Sequence, residues 1–220
     1  MRLRNKPWTD DFLNENEKHL IKFDGQTKLT SMNSFGNDKK IHLEIGCGKG
    51  NFITNHALQN QDINYIGMEK EKTVVGVALK KSLNTFGDAE MTNLKYLNDF
   101  AEDLSDMFEE NSIDQIYLNF SDPWPKSRHA KKRLTYVKFL DIYSKILKEG
   151  GEIHMKTDND GLFASTLEQL DETDKWETIA QTTDLYANEE MLKNNIPTEY
   201  EAKFHNLGKN INKIILKNKK

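Results

Sequence analysis

Residues 41–52 read IHLEIGCGKGNF. A β-type apolar run ends in Glu44-Ile45-Gly46-Cys47-Gly48-Lys49-Gly50, and a helical pattern begins at once. Glycines let a backbone turn sharply and approach a ligand closely. Such a loop after the first strand of an α/β sheet is where nucleotide-type cofactors bind. The spacing is GxGxG rather than the dinucleotide GxGxxG, because Asn51 stands where the third glycine belongs. It is not a phosphate-binding P-loop, since GxxxxGK[ST] is absent and Lys49 follows the wrong glycine.

Outward from this turn the pattern repeats. Strand-type runs IHLEIG (41–46), INYIGME (63–69), LKYLN (94–98), IDQIYLNF (113–120) and GEIHMKT (151–157) alternate with helical stretches. Residues 72–86 place Val75, Leu79, Leu83 and Phe86 on one stripe, and Gly87 is a natural stop. Residues 135–151 do the same with Tyr136, Leu140, Tyr143 and Leu147, ending in a glycine pair. Strands separated by helices of this length imply βαβ units and a mostly parallel sheet. A helix over 160–171, a strand near 176–183, an irregular 186–203 and a last strand around 211–217 are expected to follow. The first 38 residues are polar and irregular, an arm or helix packed on the edge of one domain spanning 39–220.

The second strand ends in Glu69, placed to accept hydrogen bonds from the two hydroxyls of a ribose. NAD and S-adenosylmethionine both carry that ribose, but the loop separates them. Glu44 would repel a pyrophosphate and would accept from groups on a cationic methionine moiety. Glu44, Gly46, Gly48 and Glu69 therefore point to an S-adenosylmethionine pocket. Asp99, after the third strand, either reaches the adenine or is a solvated loop acid.

Composition sets outer limits. The 220 residues suit one domain with a sizeable core, and no segment approaches the ~20 apolar residues of a membrane span. The start MRLRNKPWTDDF lacks the apolar stretch of a secretory signal, so a cytoplasmic protein is expected. Cys47 is the single cysteine, which excludes an internal disulfide and a multi-cysteine zinc site, and no metal is expected. Net charge is −4, yet basic residues concentrate at Arg2, Arg4 and Lys6, at 128–133, and in a tail with five lysines after His205. Each concentration alone is ordinary solvated charge; together they leave open a folded basic face for nucleic acid.

The central basic run follows the stretch NFSDPWPK (119–126) at the carboxyl end of the fourth strand. In a doubly wound sheet that end borders the cofactor crevice. Pro123 and Pro125 fix two φ angles and bias Asp122 and Trp124 toward extended backbone, making a stiff loop. Trp124 fits either a core position or the loop itself. Asp122, between the strand end and the prolines, has no comparable packing role.

In order, E-I-G-C-G-K-G, G-M-E (67–69), Y-L-N-F-S-D-P-W-P-K (117–126), R-H-A-K-K-R-L-T (128–135), K-T-D-N (156–159) and T-E-Y-E (198–201) resemble the bacterial tRNA (guanine-N7-)-methyltransferase family. The likeness runs from the R-x-R-x-K-P-W start to beyond 200, and the DPWPK–RHAKKR block is its most specific part. It implies a Rossmann-like class I methyltransferase fold, a mostly parallel seven-stranded sheet with helices on both faces. It also implies methylation of N7 of a guanine in the tRNA variable loop. Glu44, Glu69 and Asp122 match cofactor contacts, with Asp122 the catalytic acid. Lys126, Asp158, Thr198, Glu199, Tyr200 and Glu201 match substrate-side positions. Arg128, His129, Ala130, Lys131, Lys132 and Arg133 match the RNA-contacting segment. Where the family carries aspartate before the alanine aligned to Ala101, this chain has Phe100. Either the loop shifts so that Asp99 makes that contact, or the Phe100 backbone makes it. The resemblance leaves monomer or homodimer open.

The chemistry suits the residues. N7 of guanine has an in-plane lone pair and no proton to lose, so transfer needs alignment rather than a strong base. No Ser/His/Asp or Cys/His set is evident, and Cys47 inside the loop reads as a small residue tolerating a tight turn. A carboxylate accepting from N1–H and the exocyclic amine would bind the increasingly cationic purine best in the transition state. Asp122 fits that role, with Asp158 or Glu201 as helpers. The basic run would contact phosphates rather than read bases. Methylation of an exocyclic amine, an NAD-dependent dehydrogenase and a non-catalytic RNA-binding module are the competing readings. The DPWP order, Asn51 and the cofactor loop respectively count against them.

Overall fold

The computed structural model describes residues 6–193 and 195–220, and the chain divides into two units, Met1–Glu109 and Glu110–Lys220. Arg2 and Arg4 lie outside the described residues.

The first unit runs α1 (Trp8–Glu15), β1 (Leu20–Ile21), α2 (Ser31–Phe35), β2 (Lys40–Ile45), α3 (Asn51–Gln59), β3 (Ile63–Met68), α4 (Lys72–Phe86), β4 (Leu94–Leu97) and α5 (Leu104–Met107). Its strands lie in the order β1-β4-β3-β2, and every pairing is parallel. Ile41 through Ile45 are all buried. Unbroken burial is what a parallel strand covered on both faces requires, and it explains the continuous apolar run rather than an alternating one. In α4 the expected stripe places Val75, Leu79 and Phe86 in the core.

Eight strands are present among the described residues, against the expected seven. The addition is β1, which pairs Leu20 with Tyr96 and Ile21 with Leu97. Two residues are too few for any periodicity to reveal. The amino-terminal segment is thus partly built into the sheet, and α1 docks on α4. That contact depends on Gly76, where a Cβ would lie 2.8 Å from Thr9 Cβ.

The second unit runs β5 (Ile113–Asn119), α6 (Val137–Ile146), β6 (Leu147–Thr157), α7 (Asp160–Asp171), β7 (Trp176–Thr182), α8 (Glu189–Leu192), α9 (Glu199–Asn206) and β8 (Asn212–Asn218). The order is β5-β6-β8-β7, with β5–β6 parallel and the other two pairings antiparallel. Helices α6 and α7 pack on β6. The helix expected over 135–151 stops at Ile146, and Leu147 instead opens β6 opposite Ile113. With Gly150 and Gly151 ahead, a further helical turn would be weak, and the ladder to β5 wins.

The segment expected to be irregular, 186–203, contains α8 and the start of α9. Helix α9 begins with a capping box: Thr198 Oγ1 accepts from Glu201 N at 2.9 Å, and Glu201 Oε2 accepts from Thr198 N at 3.2 Å. The tail lysines do not form one patch. Lys213 is buried and donates to Met191 O, whereas Lys220 donates to the carbonyls of Ser144 and Lys145 in α6. Among the described residues no helix is long and apolar enough to cross a membrane.

Candidate functional site

In the first unit, β2 turns directly onto the end of β3: Gly46 N and Cys47 N both donate to Met68 O, at 2.9 and 3.0 Å. Gly46 and Gly48 have φ of +76° and +53°, conformations that side-chain-bearing residues rarely adopt. A Cβ on either would meet nothing within 4 Å. These glycines thus serve backbone conformation and leave bare backbone beside open space, as a cofactor cradle needs.

Beneath the loop lies a row across three strands. Glu44 pairs in register with Gly67, and Gly67 with Tyr96. Glu44 is 2% exposed. A Cβ at Gly67 would sit 2.7 Å from Tyr96 Cε1 and 3.2 Å from Cys47 Sγ, so the G-M-E glycine makes room for both side chains. Tyr96 Oη bonds Ser82 Oγ at 2.6 Å, and Ser82 Oγ bonds Thr54 Oγ1 at 2.6 Å, joining β4, α4 and α3. Burial pushes the Cys47 thiol well up, and Glu44 and Glu69 push it further. It is a packing group, not a nucleophile. Gly67→Ala is expected to lower stability by about 1–3 kcal/mol, the usual cost of overpacking, measured as a shift in urea midpoint at unchanged slope.

Glu69 closes this half. Its Oε2 accepts from Gly48 N and its Oε1 from Glu71 N, each at 3.2 Å, so the carboxylate braces both turns. Asn98, which the sequence did not single out, donates to the carbonyls of Glu69 and Lys70 at 2.8 and 3.0 Å. Asp99 Oδ1 accepts from Phe100 N at 2.9 Å, engaging that backbone donor, while the Phe100 side chain is 54% exposed.

In the second unit, Phe120 and Trp124 bracket Asp122 and both have positive φ, +51° and +42°. Trp124 therefore does not take the extended backbone expected before Pro125. Tertiary contacts override the local bias. Arg133 donates from Nε to Pro123 O and from Nη2 to Trp124 O, both at 3.1 Å, and from Nη1 to Ser165 Oγ at 2.6 Å. Lys132 Nζ lies 4.7 Å from the Trp124 ring centroid, and His129 meets that ring edge-on at 5.6 Å. Trp124 is half-buried in this loop, not a core residue. Asp122, Lys126, Arg128, Lys131 and Lys132 are exposed, with 127–132 forming a 3-10 turn; Ala130 is half-buried and its carbonyl accepts from Arg133 N.

Asp158, just after β6, accepts from Tyr200 Oη at 3.4 Å. Burial and this carboxylate raise the Tyr200 phenol above its usual range. The Tyr200 ring stacks on Phe204 at 4.1 Å and tilts over Phe120 at 5.0 Å, bringing α9 beside the strand end that leads to Asp122. Glu199 is exposed on the first turn of α9.

Glu201 lies elsewhere. It is 0% exposed and accepts from Lys156 Nζ at 2.5 Å, Asn195 Nδ2 at 2.6 Å and Tyr186 Oη at 3.3 Å, besides its cap to Thr198. Its two oxygens already accept from four protein donors, so in this structure Glu201 is a buried hub. Burial and the neighbouring Lys156 push the Lys213 amine below its usual range. His42 and His154 are structural, edge-on to Tyr65 and Tyr117, with His154 also bonded to Glu152. Among the described residues no cluster of three or more His, Cys, Asp or Glu is arranged to hold a metal ion.

Residues 38–214 match a family described as a putative methyltransferase. A tRNA (guanine-N(7)-)-methyltransferase of Mesoplasma florum is 66% identical over 99% of both chains. The Bacillus subtilis protein of the same name is 46% identical over 96% of both. This chain belongs to the tRNA (guanine-N(7)-)-methyltransferase family. The family's fold is seen far beyond it: the solved 16S rRNA methyltransferase KamB superposes with a TM-score of 0.61 at 12% identity, covering 91% of this chain and 97% of that one. Within this tRNA (guanine-N(7)-)-methyltransferase chain, the contributions of Gly67, Tyr96, Asn98 and Lys156 were not foreseeable. Each acts through a partner distant in sequence.

Proposed function

We propose that this protein transfers the methyl group of S-adenosylmethionine to N7 of a guanine in the variable loop of tRNA. The carrying observation is identity of 66% over essentially the whole chain to a protein named for that guanine-N7 reaction on tRNA. The residues of the first unit fit the cofactor: bare backbone at Gly46 and Gly48, the buried Glu44 carboxylate, and Glu69 braced at the end of β3. S-adenosylmethionine supplies an electrophilic methyl on a sulfonium. When it is bound, Glu44 would accept from the amino-acid end and Glu69 from the ribose hydroxyls, with Asp99 available to the adenine.

In the second unit Asp122 accepts from guanine N1–H and the exocyclic amine. Its negative charge then counters the positive charge that grows on the purine, so it binds the transition state more tightly than the ground state. Asp158 and Tyr200, bonded to each other, wall the base, and Lys126 with the turn 127–132 holds phosphates. A cytoplasmic location suits that substrate. The test is to incubate the protein with labelled S-adenosylmethionine and a tRNA transcript, then cleave chemically at N7-methylguanosine. One cleavage in the variable loop is expected. Label on an adenine or on an exocyclic amine sinks the reading.

Phosphate contact makes the affinity salt-dependent. Reversing Arg128 and Lys131 to glutamate is expected to weaken tRNA binding and to flatten the slope of log affinity against log salt by about 1.4–1.8, two contacts at ~0.7–0.9 each. Fluorescence titration across a salt series measures this, and cofactor affinity should stay unchanged.

A further inference from the structure

We infer that Arg133 is a positioning residue that locks the loop carrying Asp122, and so makes that loop one body with the basic turn beside it. The inference rests on the proposed function for what the loop does, and on geometry for the lock.

Arg133 differs from its basic neighbours. Arg128, Lys131 and Lys132 are exposed, whereas Arg133 is half-buried. Its fork reaches three protein acceptors: Pro123 O, Trp124 O and Ser165 Oγ. Two are the carbonyls directly following Asp122, and the third sits on α7. A guanidinium is planar, with donors on three separate nitrogens in a fixed fork, so it spans spaced acceptors that an ammonium would have to gather around one nitrogen on a flexible stem. The loop needs holding. Left-handed backbone at Phe120 and at Trp124 persists only where the surroundings enforce it. The prolines do not enforce it, because pre-proline bias favours extended backbone at Trp124. Arg133 does, aided by Lys132 over the Trp124 ring and His129 at its edge.

The turn that presents Arg128 and Lys131 outward therefore also grips the loop through its inner members. tRNA captured by the outer residues is presented to an Asp122 whose direction the inner residues set. Arg133 belongs functionally to the loop, not to the phosphate contacts.

The test is Arg133→Lys, which keeps the charge and loses the fork, in single-turnover methylation at saturating tRNA and cofactor. The expected rate falls ~10–100-fold, the scale of a slightly misplaced catalytic group. tRNA affinity should stay within about threefold, and its salt slope should match the wild type, since the cation remains. Acrylamide quenching of Trp124 fluorescence, isolated by difference from Trp124→Phe, should increase. Ser165→Ala, removing one acceptor only, should move rate and quenching the same way by less, and it carries the test if Arg133→Lys fails to fold. Arg128→Ala gives the contrast, losing affinity and about 0.7–0.9 of salt slope. A normal rate and normal quenching in Arg133→Lys overturn the inference. So does an Arg133→Ala variant that loses salt slope but keeps its saturated rate and normal quenching. If the wild type leaves tRNA guanine unmethylated, the proposed function fails, and the quenching comparison still decides the lock.

Discussion

Replacing Asp122 by alanine should lower the maximal rate of methyl transfer to tRNA by about 10²–10³-fold, the scale seen when one transition-state partner is removed. The side chain is exposed on its loop. Its loss therefore removes no core contact, and stability should change by no more than about 0.5 kcal/mol. Asp122→Asn separates charge from shape. The amide oxygen can still accept a hydrogen bond from guanine, but the charge opposing the cationic purine is gone, so a substantial loss should remain. Single-turnover rates at saturating substrates read this directly, and tRNA affinity should change little because phosphates carry most of it. Full turnover in both variants would remove Asp122 from the mechanism.

Replacing Glu201 by alanine should cost about 3–5 kcal/mol of stability, the range for removing one partner of a buried ion pair. Glu201 is 0% exposed and its partner Lys156 is 4% exposed. Without the carboxylate, Lys156 would lose its ion pair with Glu201 beside the nearby buried Lys213, and the first turn of α9 would lose its capping box. Asn195 and Tyr186 would also lose their acceptor. Because α9 carries Tyr200, the contact to Asp158 should loosen too. Urea denaturation measures the loss; a change under about 1 kcal/mol would show that Glu201 is not the hub. Glu201→Gln retains the size and the cap but not the charge, and should recover only part of the difference.

Glu201 also shows where sequence reading stops. Thr198-Glu199-Tyr200-Glu201 contains the T-x-x-E pattern of a helix start, so the beginning of α9 was present as a local signal. It was hidden by a charged surrounding with no apolar period. The substrate-side reading of Glu201 came from the family resemblance, and burial assigns it differently. Tyr200, its neighbour, stays at the surface beside Asp158. A resemblance transfers a motif as a block; the structure separates the member that faces outward from the one that holds the helix in place.

Trp124 is the counterpart in the other loop. Two prolines justified stiffness, and the loop is pinned, but by contacts that no local rule contains. Arg133 reaches back ten residues to Pro123 and forward to Ser165 in α7. Read along the chain, it is one more cation in RHAKKR.

The sequence by itself determined the alternation of strands and helices, the glycine turn, the spacing of Glu69 and the DPWPK–RHAKKR block. Those rest on side-chain period and neighbouring residues, which a linear chain displays. Only the tertiary structure decided that β1 joins the sheet, that Gly67 is bare for Tyr96 and Cys47, that Glu201 is a buried hub and that Arg133 turns inward. Each depends on which distant residues meet. Periodicity says which face of an element is buried, and never what that face will touch.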